Sequence, residues 1–306
     1  MNRACRVGLA VLLLLAWAGV GVTADGPLDT ARIEQLSGLK GQLNQRGDVF
    51  KLSAPRTDAA VHVSGWPLPP FMGLTSWAAF TPAPGGAMVM GDIVLFQDEV
   101  NPALDAALAS GLAVSALHNH FFYDQPKVYF MHITGQGSPD VLATAVRRVL
   151  EAARRVRQAR PAPALGFGGP PLPERSAISP QPIEEALGEK AQVQEGMVKV
   201  VVGRQTRMEC CEVGADMGVN TWAAFAGTDQ DAVVDGDFAV TEDELQPTLR
   251  ALRQAQIDIL AIHNHMVHEQ PRIIFLHYWG RGTASDLARG VRQALDVQKG
   301  GPAAPH

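Results

Sequence analysis

The sequence predicts an α+β protein made of two tandem homologous domains, each a mainly antiparallel sheet with helices packed on it, related by a pseudo-two-fold axis. Three observations lead there. One stretch occurs twice, as Ala116-Leu-His-Asn-His-Phe-Phe-Tyr-Asp-Gln-Pro126 and Ala261-Ile-His-Asn-His-Met-Val-His-Glu-Gln-Pro271, at a constant offset of 145 residues. Around each copy, β-leaning runs alternate with stretches of helical periodicity. Between the copies lies a Pro/Gly-rich segment without periodicity, which reads as a linker. A chain of 306 residues is also long enough to bury two cores.

Residues 1–24 read as a signal peptide. Arg3 and Arg6 form the positive start, Val11-Leu-Leu-Leu-Leu-Ala16 the apolar run, and Val22-Thr23-Ala24 a small-residue cleavage site. No cysteine follows that could carry a lipid, so the expectation is a periplasmic or secreted protein with no stable membrane insertion after cleavage. The boundaries that follow are 25–158 for the first domain, 159–179 for the linker, 180–298 for the second domain and 299–306 for a disordered tail. The net charge of −5 argues against a nucleic-acid partner. Three cysteines, one of them in the signal segment, make no disulfide framework. The remaining pair, Cys210-Cys211, has no counterpart in the first copy, so it stands outside the duplicated chemistry as a soft metal ligand or an oxidisable pair.

Each domain opens with a short helical stretch, 28–36 or 183–188, and an apparent strand, 49–53 or 197–203. Residues 75–80 match 220–225, with Trp77 and Trp222 expected as core anchors. Residues 88–96 match 233–241, and the repeated Gly91-Asp92 and Gly236-Asp237 inside them suggest a bulge or close backbone approach. Asp98-Glu99 and Asp243-Glu244 precede helical runs, where acidic residues favour a helix start. Strands over 112–120 and 257–265 then return as 127–133 and 272–278, joined through Pro126 or Pro271. Amphipathic helices over 139–157 and 284–297 close the copies.

The chemistry concentrates on the repeated histidines. On an extended strand His118 and His120 face the same way, and His132 on the returning strand adds a third imidazole where the register allows it. The same holds for His263, His265 and His277. Three converging imidazoles are a transition-metal site, and three protein ligands with an open position suit a catalytic divalent ion, zinc first. Asp124 and Glu269, which match one another, are the candidate general bases of a metal-dependent hydrolase. Lys127, Arg272, Asn119 and Asn264 are candidate ligand-binding residues, the two cations by attracting an anion. Another reading is a non-catalytic binding module for a small anionic ligand, its histidines purely structural. Either reading implies a small-molecule or metal partner and leaves the oligomeric state open. The contiguous His-Asn-His differs from the HNH nuclease motif, whose letters mark separated positions.

The doubled set of Trp-Ala-Ala-Phe, Gly-Asp, His-Asn-His, Gln-Pro-Lys/Arg and His-X-X-Gly-X-Gly resembles the LppY/LpqO family of exported bacterial proteins, a domain of unknown function whose named members are mycobacterial lipoproteins. The resemblance runs from about Ile33 to Val297. It implies export and a two-copy organisation, and brings no activity with it. Here the lipidation cysteine of the lipoprotein members is missing.

Overall fold

A computed structural model describes residues 26–298. The expected signal segment and the tail 299–306 lie outside them. Each copy contributes six strands to one sheet: β1 (Gly41–Leu43), β2 (Phe50–Pro55), β3 (Thr75–Ala83), β4 (Gly86–Phe96), β5 (Ala113–His118) and β6 (Val128–Gly137), then β7 (Ala191–Gln194), β8 (Met197–Gly203), β9 (Asn220–Gly227), β10 (Ala232–Thr241), β11 (Asp258–His263) and β12 (Ile273–Gly282). The spatial order is β1-β2-β3-β4-β6-β5-β11-β12-β10-β9-β8-β7, antiparallel throughout. The second half therefore repeats the first in reverse order. Two separate sheets were expected; the copies instead join edge to edge through β5 and β11.

The helices are α1 (Thr30–Ser37), α2 (Val100–Ala109), α3 (Pro139–Ala159), α4 (Pro180–Leu187), α5 (Glu242–Gln254) and α6 (Ala284–Asp296). Their ends follow from local chemistry. Asp29 accepts a hydrogen bond from Arg32 N at the start of α1, Thr241 and Glu244 form a capping box on α5, and Gly38 and Gly188 close α1 and α4 with positive φ. Glu99 and Glu244 do more than favour a helix start. Buried, they take hydrogen bonds from Arg56 and Arg204, whose Nη1 atoms lie 2.7 and 2.6 Å away.

Strand alternation sends one face of the sheet to the helices. In β3, Ala78 and Phe80 are buried while Trp77 and Ala79 are half-exposed; the pattern recurs in β9. Phe80, Ile93, Leu117, Met131, Ile262 and Leu276 join Leu104, Val146, Leu249 and Leu287 of the helices in one core that runs through both copies. Trp77 and Trp222 are thus not core anchors. Parity puts them on the helix-free face, under Lys51 and Lys199, whose Nζ atoms sit 4.5 and 4.4 Å from the indole centroids. Segments 56–74 and 204–219 fold over one end of that face. They seal Phe96, Val128 and Phe130 in one copy and Ile273 and Phe275 in the other.

At the seam a single residue pair, Leu117 with Ile262, completes the ladder. These are equivalent positions. Register shifts between Val114 and Ala116, and between Ile259 and Ala261, take the strands out of line on either side. Side-chain amides replace the missing ladder bonds. Ile259 N donates to Asn101 Oδ1 (2.8 Å) and Asn101 Nδ2 to Ile259 O (3.2 Å), while Val114 N donates to Gln246 Oε1 (3.0 Å) and Gln246 Nε2 to Val114 O (2.8 Å). An amide carries the same donor and acceptor as a peptide group, so it can substitute for a strand neighbour.

Removing both amides, with Asn101→Ala and Gln246→Ala together, leaves four backbone groups short of partners. Each substitution is expected to destabilise by about 1–3 kcal/mol. Urea unfolding of the single and double variants measures it, and a double variant as stable as the parent would contradict this account of the seam.

Candidate metal centre

The histidines lie on the helix-free face, where the covering segments stop. His132 on β6 pairs with Asp92 on β4 and with Ala116 on β5, and His118, two residues beyond Ala116, stands opposite Phe130. Residues directly opposed share a face, so Asp92, His132, Ala116 and His118 point the same way. The His118 and His132 Nε2 atoms are 3.0 Å apart. His120 follows the end of β5 and lies flat on Phe130, centroids 3.5 Å apart, with its ring 5.2 Å from that of His118.

The second copy repeats the plan. His277 pairs with Asp237 on β10 and Ala261 on β11, and His263 stands opposite Phe275. His265 stacks on Phe275 at 3.5 Å, His263 on His277 at 4.6 Å. The Nε2 atoms of His263 and His265 are 3.1 Å apart, and His265 Nε2 is 3.4 Å from Asp237 Oδ2. Asp237, His263 and His265 bring one donor atom each within 4.8 Å of the others, a group able to hold a metal ion. His277 stacks behind it.

Several of these atoms have no use within the protein. Asp92 Oδ1, Asp237 Oδ1 and His263 Nδ1 are buried without a hydrogen-bond partner among the described residues. Burial pushes both aspartates above the usual carboxylate range, against the pull of their neighbouring histidines. Burial, and then the charges His277 and His265 would carry, push His263 down to about 4. Burial likewise lowers His120, followed by the effect of His118. A neutral imidazole is the form a metal ion requires of a histidine ligand, and a cation beside the aspartates would supply the positive charge that keeps a desolvated carboxylate ionised.

The carboxylates expected as bases each hold a backbone N–H of the turn that follows them. Buried Asp124 accepts from Lys127 Nζ (2.9 Å) and Val128 N (2.8 Å), and Glu269 accepts from Ile273 N (3.1 Å), so each braces the turn around its cis Gln-Pro bond. Glu269 Oε2 is buried without a partner among the described residues. Arg272 is exposed, 4.0 Å from Glu242. Asn119 bonds Phe121 O, and Asn264 is exposed. Sequence reasoning did not place Asp92 and Asp237 among the candidate site residues. The signal was present: an aspartate after a glycine inside a mostly apolar strand, repeated at the same offset. The glycine before each does serve close approach, since a Cβ on Gly91 would lie 2.8 Å from Trp77 O. Cys210 and Cys211 are exposed near the tip of a hairpin over 206–213, their sulfurs 2.7 Å apart.

The family described as Domain of Unknown Function (DUF1259) matches residues 31–152 and again 181–297. The chain belongs to the DUF1259 family. Both DUF1259 matches contain a complete set of one aspartate and three histidines, so the site is part of the repeated unit. No curated protein matches the chain. Among solved structures, the trimeric bacterial microcompartment shell protein PduB is similar at 11% identity over 84% of this chain and 89% of that one, with a TM-score of 0.19. That likeness is too slight to bear on this DUF1259 protein's fold or function.

The lowered value of His263 has a consequence for the metal-free protein. Its folded-state value lies below the ordinary one near 6.5, so as pH falls from about 6.5 towards about 4 the unfolded chain takes up a proton that the folded chain refuses, and stability drops. The raised Asp237 acts in the opposite sense, which makes a difference measurement necessary. In chelator-treated protein, His263→Gln should lose less stability than the parent over that window in urea titrations. Parallel pH profiles would show that His263 is not responsible.

Proposed function

We propose that this DUF1259 protein is an exported metal-binding protein that holds a divalent transition ion, zinc first, at Asp237, His263 and His265, with His277 beside them. The observation that carries this reading is the convergence of three donor atoms within 4.8 Å, together with the buried Asp237 Oδ1, which has no partner among the described residues. Asp92, His118, His120 and His132 occupy the equivalent positions of the first copy, where the Nε2 atoms of His118 and His132 come within 3.0 Å of one another and we take Asp92 and His120 to close on a bound ion. We take the copies to be related by a pseudo-two-fold axis at the Leu117/Ile262 pair, a reading that the reversed strand order supports. Three protein ligands leave a position for water, which a bound ion would acidify, so the chemistry such a site would support is hydrolysis. Asp92 and Asp237, on the same face as the histidines, replace Asp124 and Glu269 as the carboxylates nearest to it. Export rests on the signal-like residues 1–24 and the resemblance to the LppY/LpqO proteins. The anion-binding alternative is weakened because Lys127 is held by Asp124.

Elemental analysis of untagged protein purified without chelator tests the reading. Roughly one or two equivalents of a transition metal are expected, together with a fall in thermal midpoint on chelation. His263→Ala/His265→Ala should lose the ion of the second copy while remaining folded, and Asp237→Asn should weaken its retention. No metal in the native protein, and none after reconstitution, would overturn the proposal.

A further inference from the structure

The two clusters are neighbours across the seam, and their relation follows from register alone. Leu117 and Ile262 pair on the core face. In an antiparallel ladder the residues on either side of such a pair oppose one another on the other face, which sets Ala116 beside His263 and His118 beside Ala261. Two rows therefore cross four or more strands of the helix-free face. One reads Asp92, His132, Ala116, His263, Phe275, and the other Phe130, His118, Ala261, His277, Asp237. In the middle of both rows stands an alanine, half-exposed, at equivalent positions. The imidazoles lean outward from it: His118 engages His132 and His263 stacks on His277, each within its own copy. The segments that cover this face pack on Phe130 and Phe275. Between the clusters lie the methyl groups of Ala116 and Ala261 on one diagonal, with His118 and His263 on the other.

The geometry points to one composite site: the surface over Ala116 and Ala261, between the clusters, receives an elongated ligand with an anionic group at each end, one end on the ion of each cluster. The inference rests on the metal-binding reading above. With adjacent strands about 4.8 Å apart, the cluster centres are separated by two to three strand spacings, roughly 10–15 Å. That is too wide for a shared water or a single small oxyanion to bridge, since two-metal sites acting on one group hold their ions about 4 Å apart. It suits the two carboxylates of a medium-chain dicarboxylate, whose methylene chain would lie over the two alanines. Engaging both ends makes the second contact intramolecular, so such a ligand should bind about 100-fold or more tightly than a monocarboxylate.

Two measurements on the full-length protein test this. Copper(II)-loaded protein should show dipolar broadening between two ions in its electron paramagnetic resonance spectrum, lost in His118→Ala/His132→Ala, which keeps the ion of the second copy. Calorimetry on zinc-loaded protein should find suberate bound about 100-fold more tightly than acetate. Ala116→Phe/Ala261→Phe should retain both ions and the acetate affinity while losing the suberate advantage. Failure to load any metal would take down the metal-binding reading and this one with it. Full loading with magnetically isolated ions overturns the composite site alone. Dipolar coupling without a suberate advantage, or an advantage that persists in the alanine-to-phenylalanine variant, overturns the assigned ligand.

Discussion

The antiparallel pairing of Leu117 with Ile262 is the constraint on which the rest of the molecule depends. Without it β5 and β11 would each be an exposed edge with unpaired peptide groups, and an edge strand of that kind invites association with other chains. Joining the two edges removes both, and leaves as the outer edges only β1 and β7, which are short and largely exposed. Because the paired residues are equivalents, the junction uses one local solution twice. Asn101 and Gln246 serve the same role in their copies, and the bulges at Ser115 and Leu260 open the same gaps for them to fill. The helices follow the sheet. Arg253 of α5 reaches Asp105 of α2 at 2.8 Å, and apolar residues of both helices enter one core. The same pairing sets both histidine clusters on one face.

Two physical arguments separate a ligand site from a set of structural histidines. A histidine that only holds a fold together uses its nitrogens on partners that stay put, because a buried polar atom left alone costs on the order of 1–3 kcal/mol. Here His263 Nδ1 has none among the described residues, and the Nε2 contacts are imidazole to imidazole, in which only one nitrogen of each pair can donate. The second argument is charge. Asp92 and Asp237 are buried with no lysine or arginine of the described residues against them, and burial raises both while it lowers His263. A fixed ion pair in this position would have taken the opposite form, as Glu244 does, held below the usual carboxylate range by Arg204 against its own burial. The contrast lies within one copy. A bound cation would satisfy at once the orphaned oxygens and the neutral imidazoles.

Duplication was legible because it preserves spacing, and repeated spacing needs no structural knowledge to read. It delivered the histidines, the strand pairs around them and the helices that follow. What it did not deliver is contact between the copies. A single pair of backbone positions joins them, and the decisive side chains, Asn101 and Gln246, differ in identity, so neither stands out as repeated. The tryptophans were misplaced for a related reason: hydrophobicity predicts burial, whereas face is set by parity, and Trp77 falls on the opposite parity from Ala78 and Phe80. Asp92 and Asp237 were seen and explained by the glycines next to them. Their place beside the histidines emerges only when β4 and β6 are aligned and Asp92 is found opposite His132.

The two clusters share a plan but differ in surroundings, and the differences run in one direction. Asp235 occupies the position of Met90, adding a half-buried carboxylate whose raised value is opposed by His277. Trp279 occupies that of Thr134 and is covered by Phe167 from the connecting segment, rings stacked at 5.7 Å. That segment is itself held, with Pro170 O accepting from Arg281 Nη1 at 2.7 Å, so its proline and glycine content marks an ordered strap over the second copy. A cluster with more negative charge and less water around it attracts a cation more strongly, because the same charges act through a lower dielectric. On the proposed reading the second site therefore fills before the first. The histidines and aspartates are the same residues in both copies but already differ in arrangement, since among the described residues only Asp237, His263 and His265 bring three donor atoms within 4.8 Å, and the residues packed around them act in the same direction.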